Sequence, residues 1–193
     1  MATDSSVAGY LAPSSAPVYD DALDNTIHDL IVGLAGITGD LVRPRWQPEP
    51  PTQPAYSANW VAFGLTGTDV DSFAYEHHSP TGEGPTSVER DELLTYIHSF
   101  YGPGAHGLCE RFRDGFEISQ NRDALRSAGL TLVEVQRAVK IPALLKEKWV
   151  PKVDVTVVYR RRTSRAYPVL TLRSANADLV AEELGTAHIN VTQ

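Results

Sequence analysis

Five prolines in eleven positions, Pro44, Pro48, Pro50, Pro51 and Pro54, constrain this chain more than any other feature. Each fixes its own φ, withholds a backbone N–H and disfavours helix in the residue before it. The segment LVRPRWQPEPPTQPAYSAN, residues 41–59, is therefore excluded from regular helix and is expected to run as an extended excursion. A connection of this length is unusual in a monomeric enzyme and suits an arm that lies over a neighbour. Trp46 is its candidate anchor, because buried tryptophans dominate interfaces; packing beneath its own arm would use the indole equally well.

Around this tract the hydrophobic periodicity is clear. Leu23, Ile27, Leu30, Ile31 and Leu34 recur at spacings of three and four, which predicts a helix from Val18 to about Gly33. Asp20, Asp21 and Asp24 lie in its early turns, where the helix dipole favours acids, and Gly33, Gly36 and Gly39 are expected to end it. A strand is predicted from Asn59 towards Tyr75, followed by a polar, glycine-rich loop, HHSPTGEGPTS. Residues 88–101 alternate, with Leu94, Tyr96, His98 and Phe100 on one face of a strand. Leu108, Phe112 and Phe116 at spacings of four mark a helix over 104–118, and Ser119 or Asn121 is a candidate cap for a further short turn. Strand-like alternation returns over 130–141. In residues 149–162, Val153, Val155, Val157 and Tyr159 face one way; TSRA is expected to turn this strand into a partner at YPVLTLRS.

Helix, strands, helix, strands predicts one α+β domain over residues 18–193, mostly antiparallel sheet flanked by a few helices. Residues 1–17, small, polar and proline-containing, are expected to form a flexible N-terminal arm, and 44–58 a proline-rich arm within the domain. The N-terminus has neither the basic start nor the apolar run of a secretory signal, and no segment approaches the roughly 20 apolar residues of a membrane span. The expectation is a soluble protein made in the cytosol with no membrane partner.

Charge is divided unevenly. Residues 1–100 hold 14 acids against three bases, a balance of −11, whereas residues 101–193 hold 10 acids against 14 bases, a balance of +4. An overall charge of −7 disfavours a nucleic-acid-binding protein, which needs a dominant basic surface. Unlike halves suit a subunit whose one side meets a different side of the next, although both signs mixed on one surface would give the same totals. The strongest run is Arg160, Arg161, Arg162 and Arg165, expected at a hairpin tip. There it could meet phosphates, acids of an adjacent subunit from the Asp-rich first helix or Glu89–Asp91–Glu92, or only solvent.

Catalytic signatures are missing: the chain has no GxSxG, no GxxxxGK[ST] and no HExxH. Cys109 is the only cysteine, so no disulfide framework and no cysteine-based zinc site can form. Three residues after His106 and beside Leu108, it reads as a small core residue before it reads as a nucleophile. His77 and His78 follow Glu76, but neighbours on a strand point to opposite faces, so one ion held by both requires a bent backbone. No enzyme activity, cofactor or metal is expected; a small hydrolase using Cys109 or the paired histidines is the competing reading.

The order of segments resembles the phage neck and tail-terminator proteins. The resemblance is carried by Arg43–Pro44–Arg45–Trp46 before the proline tract, Asn59–Trp60–Val61–Ala62–Phe63–Gly64, and Ser99–Phe100–Tyr101–Gly102–Pro103. Arg113–Asp114–Gly115, Gln120–Asn121–Arg122, Ile141–Pro142, Trp149–Val150, Val153–Asp154 and the arginine run continue the series. It covers roughly residues 40–175, leaving the N-terminal arm and the acidic first helix outside. Such a resemblance implies a subunit of a ring, commonly a hexamer, at the head-proximal end of the tail in the virion. That ring ends tail-tube polymerisation, meets the head connector, anchors the sheath where one exists, and lets DNA pass without sequence-specific binding. A head-completion adaptor or a baseplate component is the alternative within phage assembly. The expected interface residues are Trp46, Asp20, Asp21, Asp24, His77, His78, Arg160, Arg161, Arg162 and Arg165.

Overall fold

The computed structural model describes residues 3–79, 84–145, 147–171, 174–181 and 185–192. In chain order the elements are α1 (Asp20–Ala35), β1 (Val42–Pro44), β2 (Trp60–Val70), β3 (Tyr75–His78) and β4 (Thr86–Tyr101). Next come α2 (Ala105–Gly115), α3 (Ser119–Ser127), β5 (Thr131–Val135), β6 (Val139–Lys140), β7 (Ala143–Leu145) and β8 (Lys148–Val150). β9 (Lys152–Tyr167), β10 (Ser174–Ala181) and β11 (Gly185–Thr192) complete them. This is an α+β fold, as the order of periodicities predicts.

The chain divides into two compact units. The larger comprises Pro17–Phe73 and Arg90–Thr163; the smaller comprises the N-terminal segment to Ala16, Ala74–Glu89 and the chain from Ser164. In the larger unit the strand order is β1-β2-β4-β9-β5, with β6 also on β9. The β2–β4, β5–β9 and β6–β9 pairs are antiparallel and β1–β2 is parallel. Alternation along β4 and β9 sends Leu94, Tyr96, His98 and Phe100, with Val153, Val155, Val157 and Tyr159, to one buried face. α1 brings Leu23, Ile27, Ile31 and Leu34 to this core, and α2 brings Leu108, Cys109 and Phe112, followed by Phe116. Phe112 links the layers through ring contacts with His98 at 5.0 Å, Phe116 at 5.1 Å and Phe100 at 5.5 Å.

α1 ends at Gly36, whose φ of +64° places its N–H on Val32 O at 3.0 Å, a left-handed cap that glycine adopts without a Cβ penalty. Gly33 lies inside the helix rather than at its end. The proline tract carries no helix or strand beyond β1. Arg43 tethers it, donating from Nη1 to Thr52 O at 2.6 Å and from Nε to Asp40 O at 3.2 Å.

In the smaller unit β3 pairs with the start of β4, and β10 forms an antiparallel hairpin with β11. Ser5 N–H donates to Pro168 O at 3.1 Å and Ser14 N–H to Ala166 O at 2.7 Å.

Four local expectations are corrected. TSRA is not a turn: β9 runs through it to Tyr167, because Arg161 and Thr163 continue the inward alternation and both are buried. Pro168 then removes the next ladder donor, and residues 168–171 form no strand. His77 and His78 lie in β3 rather than in a loop. Neither Ser119 nor Asn121 caps α3; Ile118 holds that position, and Asn121 Nδ2 donates back to Gly115 O at 2.8 Å.

Candidate functional site

The arginine run sits along β9, where alternation separates its members. Arg161 points inward with only 7% of its surface exposed and places Nε 2.8 Å from Glu92 Oε2. It also donates through Nη1 to Val18 O, and its guanidinium lies 4.4 Å from the centre of the Tyr19 ring. Tyr19 OH donates to the other oxygen of Glu92 at 2.6 Å. This cluster fastens the chain entering α1 to the sheet. Arg160 and Arg162 point outward and are exposed; Arg162 Nε donates to Asp91 Oδ1 at 3.1 Å, which holds the Asp91 carboxyl below its ordinary range. Arg165 is half-buried in the smaller unit.

The acids of α1 lie beside this cluster. Asp20 and Asp21 are exposed in the first turn, and Asp20 has a φ of +52°, rare for a residue with a Cβ. Asp24 is half-buried and accepts from Tyr96 OH at 3.1 Å; burial raises its carboxyl despite that bond. A cavity of about 190 Å³ opens there, with Leu23, Trp46, Leu65 and Leu94 in its apolar lining and Asp20, Asp24 and Arg161 in its polar one.

Trp46 is 68% exposed, with a φ of +59°. Its ring lies so close to Gly64 that a Cβ there would fall 2.6 Å from Cζ3. It borders a groove of about 470 Å³ lined by Arg43, Arg45, Pro50, Pro51 and Trp60. At its back Arg45 donates to Ser99 Oγ, which in turn donates to Asp154; Lys152 Nζ sits 2.8 Å from the second oxygen of Asp154.

His77 and His78 are both exposed. The His77 ring stacks on Tyr75 at 6.4 Å, while His78 meets Thr86 Oγ1 at 3.0 Å through Nδ1 and Thr171 Oγ1 at 3.1 Å through Nε2. Among the described residues no group of three or more His, Cys, Asp or Glu side chains is placed to hold a metal. Cys109 has no exposed surface and burial pushes its thiol up to about 12, the reverse of what a nucleophile needs, while His106 faces solvent.

The sequence reading missed the β7–β8 hairpin. Leu144 and Trp149 are direct cross-strand partners and are 58% and 71% exposed. The signal was present: a short apolar run, ALL, separated by three residues from a tryptophan, with Lys140, Lys148 and Lys152 around them. Trp149, expected to begin the strand over residues 149–162, lies in β8, apart from β9.

Residues 21–183 match the family model described as phage neck terminator protein. The chain belongs to that family. The match starts inside α1, so the acidic helix is part of the shared region and not an addition to it. No curated protein matches the chain. Family membership makes this a structural protein of the phage neck, a virion component that meets other head or tail proteins. None of its described helices is long and apolar enough to cross a membrane.

Proposed function

We propose that this protein forms a ring, hexameric in the assembled particle, at the head-proximal end of the tail. It ends polymerisation of the tail tube, and of the sheath where one exists, and joins the tail to the head connector. The observation that carries this reading is the family match over residues 21–183. Assembly takes place in the host cytoplasm, DNA passes through the ring without sequence-specific contacts, and the protein performs no catalysis and holds no cofactor. The one thiol lies within the core, which disfavours its use as a nucleophile.

The proposed contact residues are the exposed ones on the larger unit, Trp46, Asp20, Asp21, Arg160 and Arg162, with Asp24 at the edge of its cavity. His77, His78 and Arg165 supply contacts from the smaller unit. Arg161 serves indirectly, because its guanidinium is committed to Glu92 and Val18.

Phage lacking this chain test the proposal. The expected lysate contains DNA-filled heads without tails and tail tubes of abnormal, often excessive, length. Tubes of normal length beside unattached heads would assign the protein to the connector instead. Normal tailed particles would overturn the reading.

A further inference from the structure

Two surfaces of the larger unit are tied to different parts of β4, one to its C-terminal end and one to its middle. The first is the β7–β8 hairpin, where Leu144 and Trp149 form one cross-strand apolar pair and Ile141, 50% exposed, lies just before it. An exposed tryptophan beside two further large apolar side chains is the composition of an interface anchor and not of an ordinary solvated turn. Lys140 and Lys148 are exposed around it. The second surface is the start of α1, where Asp20 and Asp24 line a cavity with Trp46, Leu23, Leu65 and Leu94, and Asp21 is exposed in the same turn. Arg161, the cation lining that cavity, is already paired with Glu92.

Within one subunit these surfaces cannot meet. The hairpin is tied to the far end of β4: Gly102 N–H donates to Pro151 O at 3.0 Å, and Lys152 lies 5.8 Å from the Tyr101 ring. The acids are tied near its middle, through Tyr96 OH on Asp24 and Tyr19 OH on Glu92. At about 3.3 Å per residue, β4 separates these attachments by roughly 17–33 Å. That is at least about twice the screening length of about 8 Å at physiological salt, so the lysines only weakly neutralise the acids of their own subunit.

We propose that the β7–β8 hairpin of one copy docks on the start of α1 in a second copy. Trp149 covers the Leu23–Leu65–Leu94 cavity, its indole N–H donates to a carboxylate of Asp20 or Asp24, and Lys148 faces Asp21. The surfaces are unlike and complementary, apolar with cations against apolar with anions, so the contact is head-to-tail and repeats around a closed ring. This inference rests on the ring reading and names the lateral contact that builds it.

The test uses particles. Trp149 is replaced by the photo-crosslinking residue benzoylphenylalanine, and phage are assembled from equal amounts of 14N- and 15N-labelled chain. After irradiation, mixed-isotope crosslinks between position 149 and the N-terminal tryptic peptide, residues 1–45, are expected. Crosslinks from ring-incorporated chain to another region or another protein would overturn the docking and leave the ring standing. A parallel charge exchange guards against a folding defect at position 149. Asp21→Lys is expected to lower incorporation into particles at least tenfold, and adding Lys148→Asp to restore it; an unrestored double variant would overturn the pairing. Absence of the unaltered protein from particles would instead overturn the ring reading itself.

Discussion

Arg161 Nε lies 2.8 Å from Glu92 Oε2, and both side chains are more than nine-tenths buried. The pair joins β9 to β4, and through Val18 and Tyr19 it fixes where α1 begins. Removing one partner leaves the other charge buried and uncompensated, at a cost of about 3–5 kcal/mol. Glu92→Ala and Arg161→Ala are each expected to lower the urea midpoint strongly, whereas Glu92→Leu combined with Arg161→Met recovers most of the loss. Single variants within about 0.5 kcal/mol of the unaltered protein would show that the pair carries no structural weight.

Gly102 has a φ of +104°, and a Cβ there would fall 2.4 Å from Ala58 O. Gly102→Ala meets both an unfavourable backbone region and a main-chain oxygen that cannot rotate away, at a cost of about 2 kcal/mol. For a chain of this size that lowers Tm by roughly 4–8 °C. Calorimetry checks it; an unchanged Tm would mean that the turn after β4 accommodates a side chain freely.

His98 has no exposed surface, and burial holds its pKa at about 3. In the unfolded chain the same imidazole titrates near 6.5. Below about pH 6.5 the unfolded state therefore binds a proton that the folded state refuses until about pH 3, so stability falls as pH falls through that window. The slope from this one group reaches about 1.4 kcal/mol per pH unit. His98→Gln is expected to flatten the pH dependence of the urea midpoint between about pH 6 and about pH 4, relative to the unaltered chain. Parallel profiles for the two proteins would contradict the assignment.

Cys109 is enclosed by α2 and the core, and burial raises its thiol to about 12. Iodoacetamide is expected to leave the native protein unmodified over hours at neutral pH and to add one carbamidomethyl group in urea, as read by intact mass. Rapid native alkylation would reopen the nucleophile reading that the sequence left as a competitor.

What the sequence reveals here follows what its periodicities can encode. The inward sets Leu94–Phe100, Val153–Tyr159 and Leu108–Phe116 were legible because burial acts on every second residue of a strand and every third or fourth of a helix. The arginine run was misplaced for the opposite reason. Consecutive arginines and a TSRA segment look like a solvent-exposed turn, yet in β9 a strand can bury Arg161 once Glu92 stands opposite, and no local pattern announces a partner 69 residues away. Asp20, Asp21 and Trp46, read from the sequence as candidate contacts, are exposed. Leu144 and Trp149 were overlooked as a pair, since only the register of a short hairpin makes them neighbours.

Electron cryomicroscopy of intact particles, with this chain located by fitting its fold, decides where the protein sits. A closed ring is expected between the portal connector and the last tail-tube ring, with each β7–β8 hairpin against the α1 start of the next subunit. Density for the chain elsewhere in the particle, or its absence from particles while it stays soluble in the lysate, would contradict it.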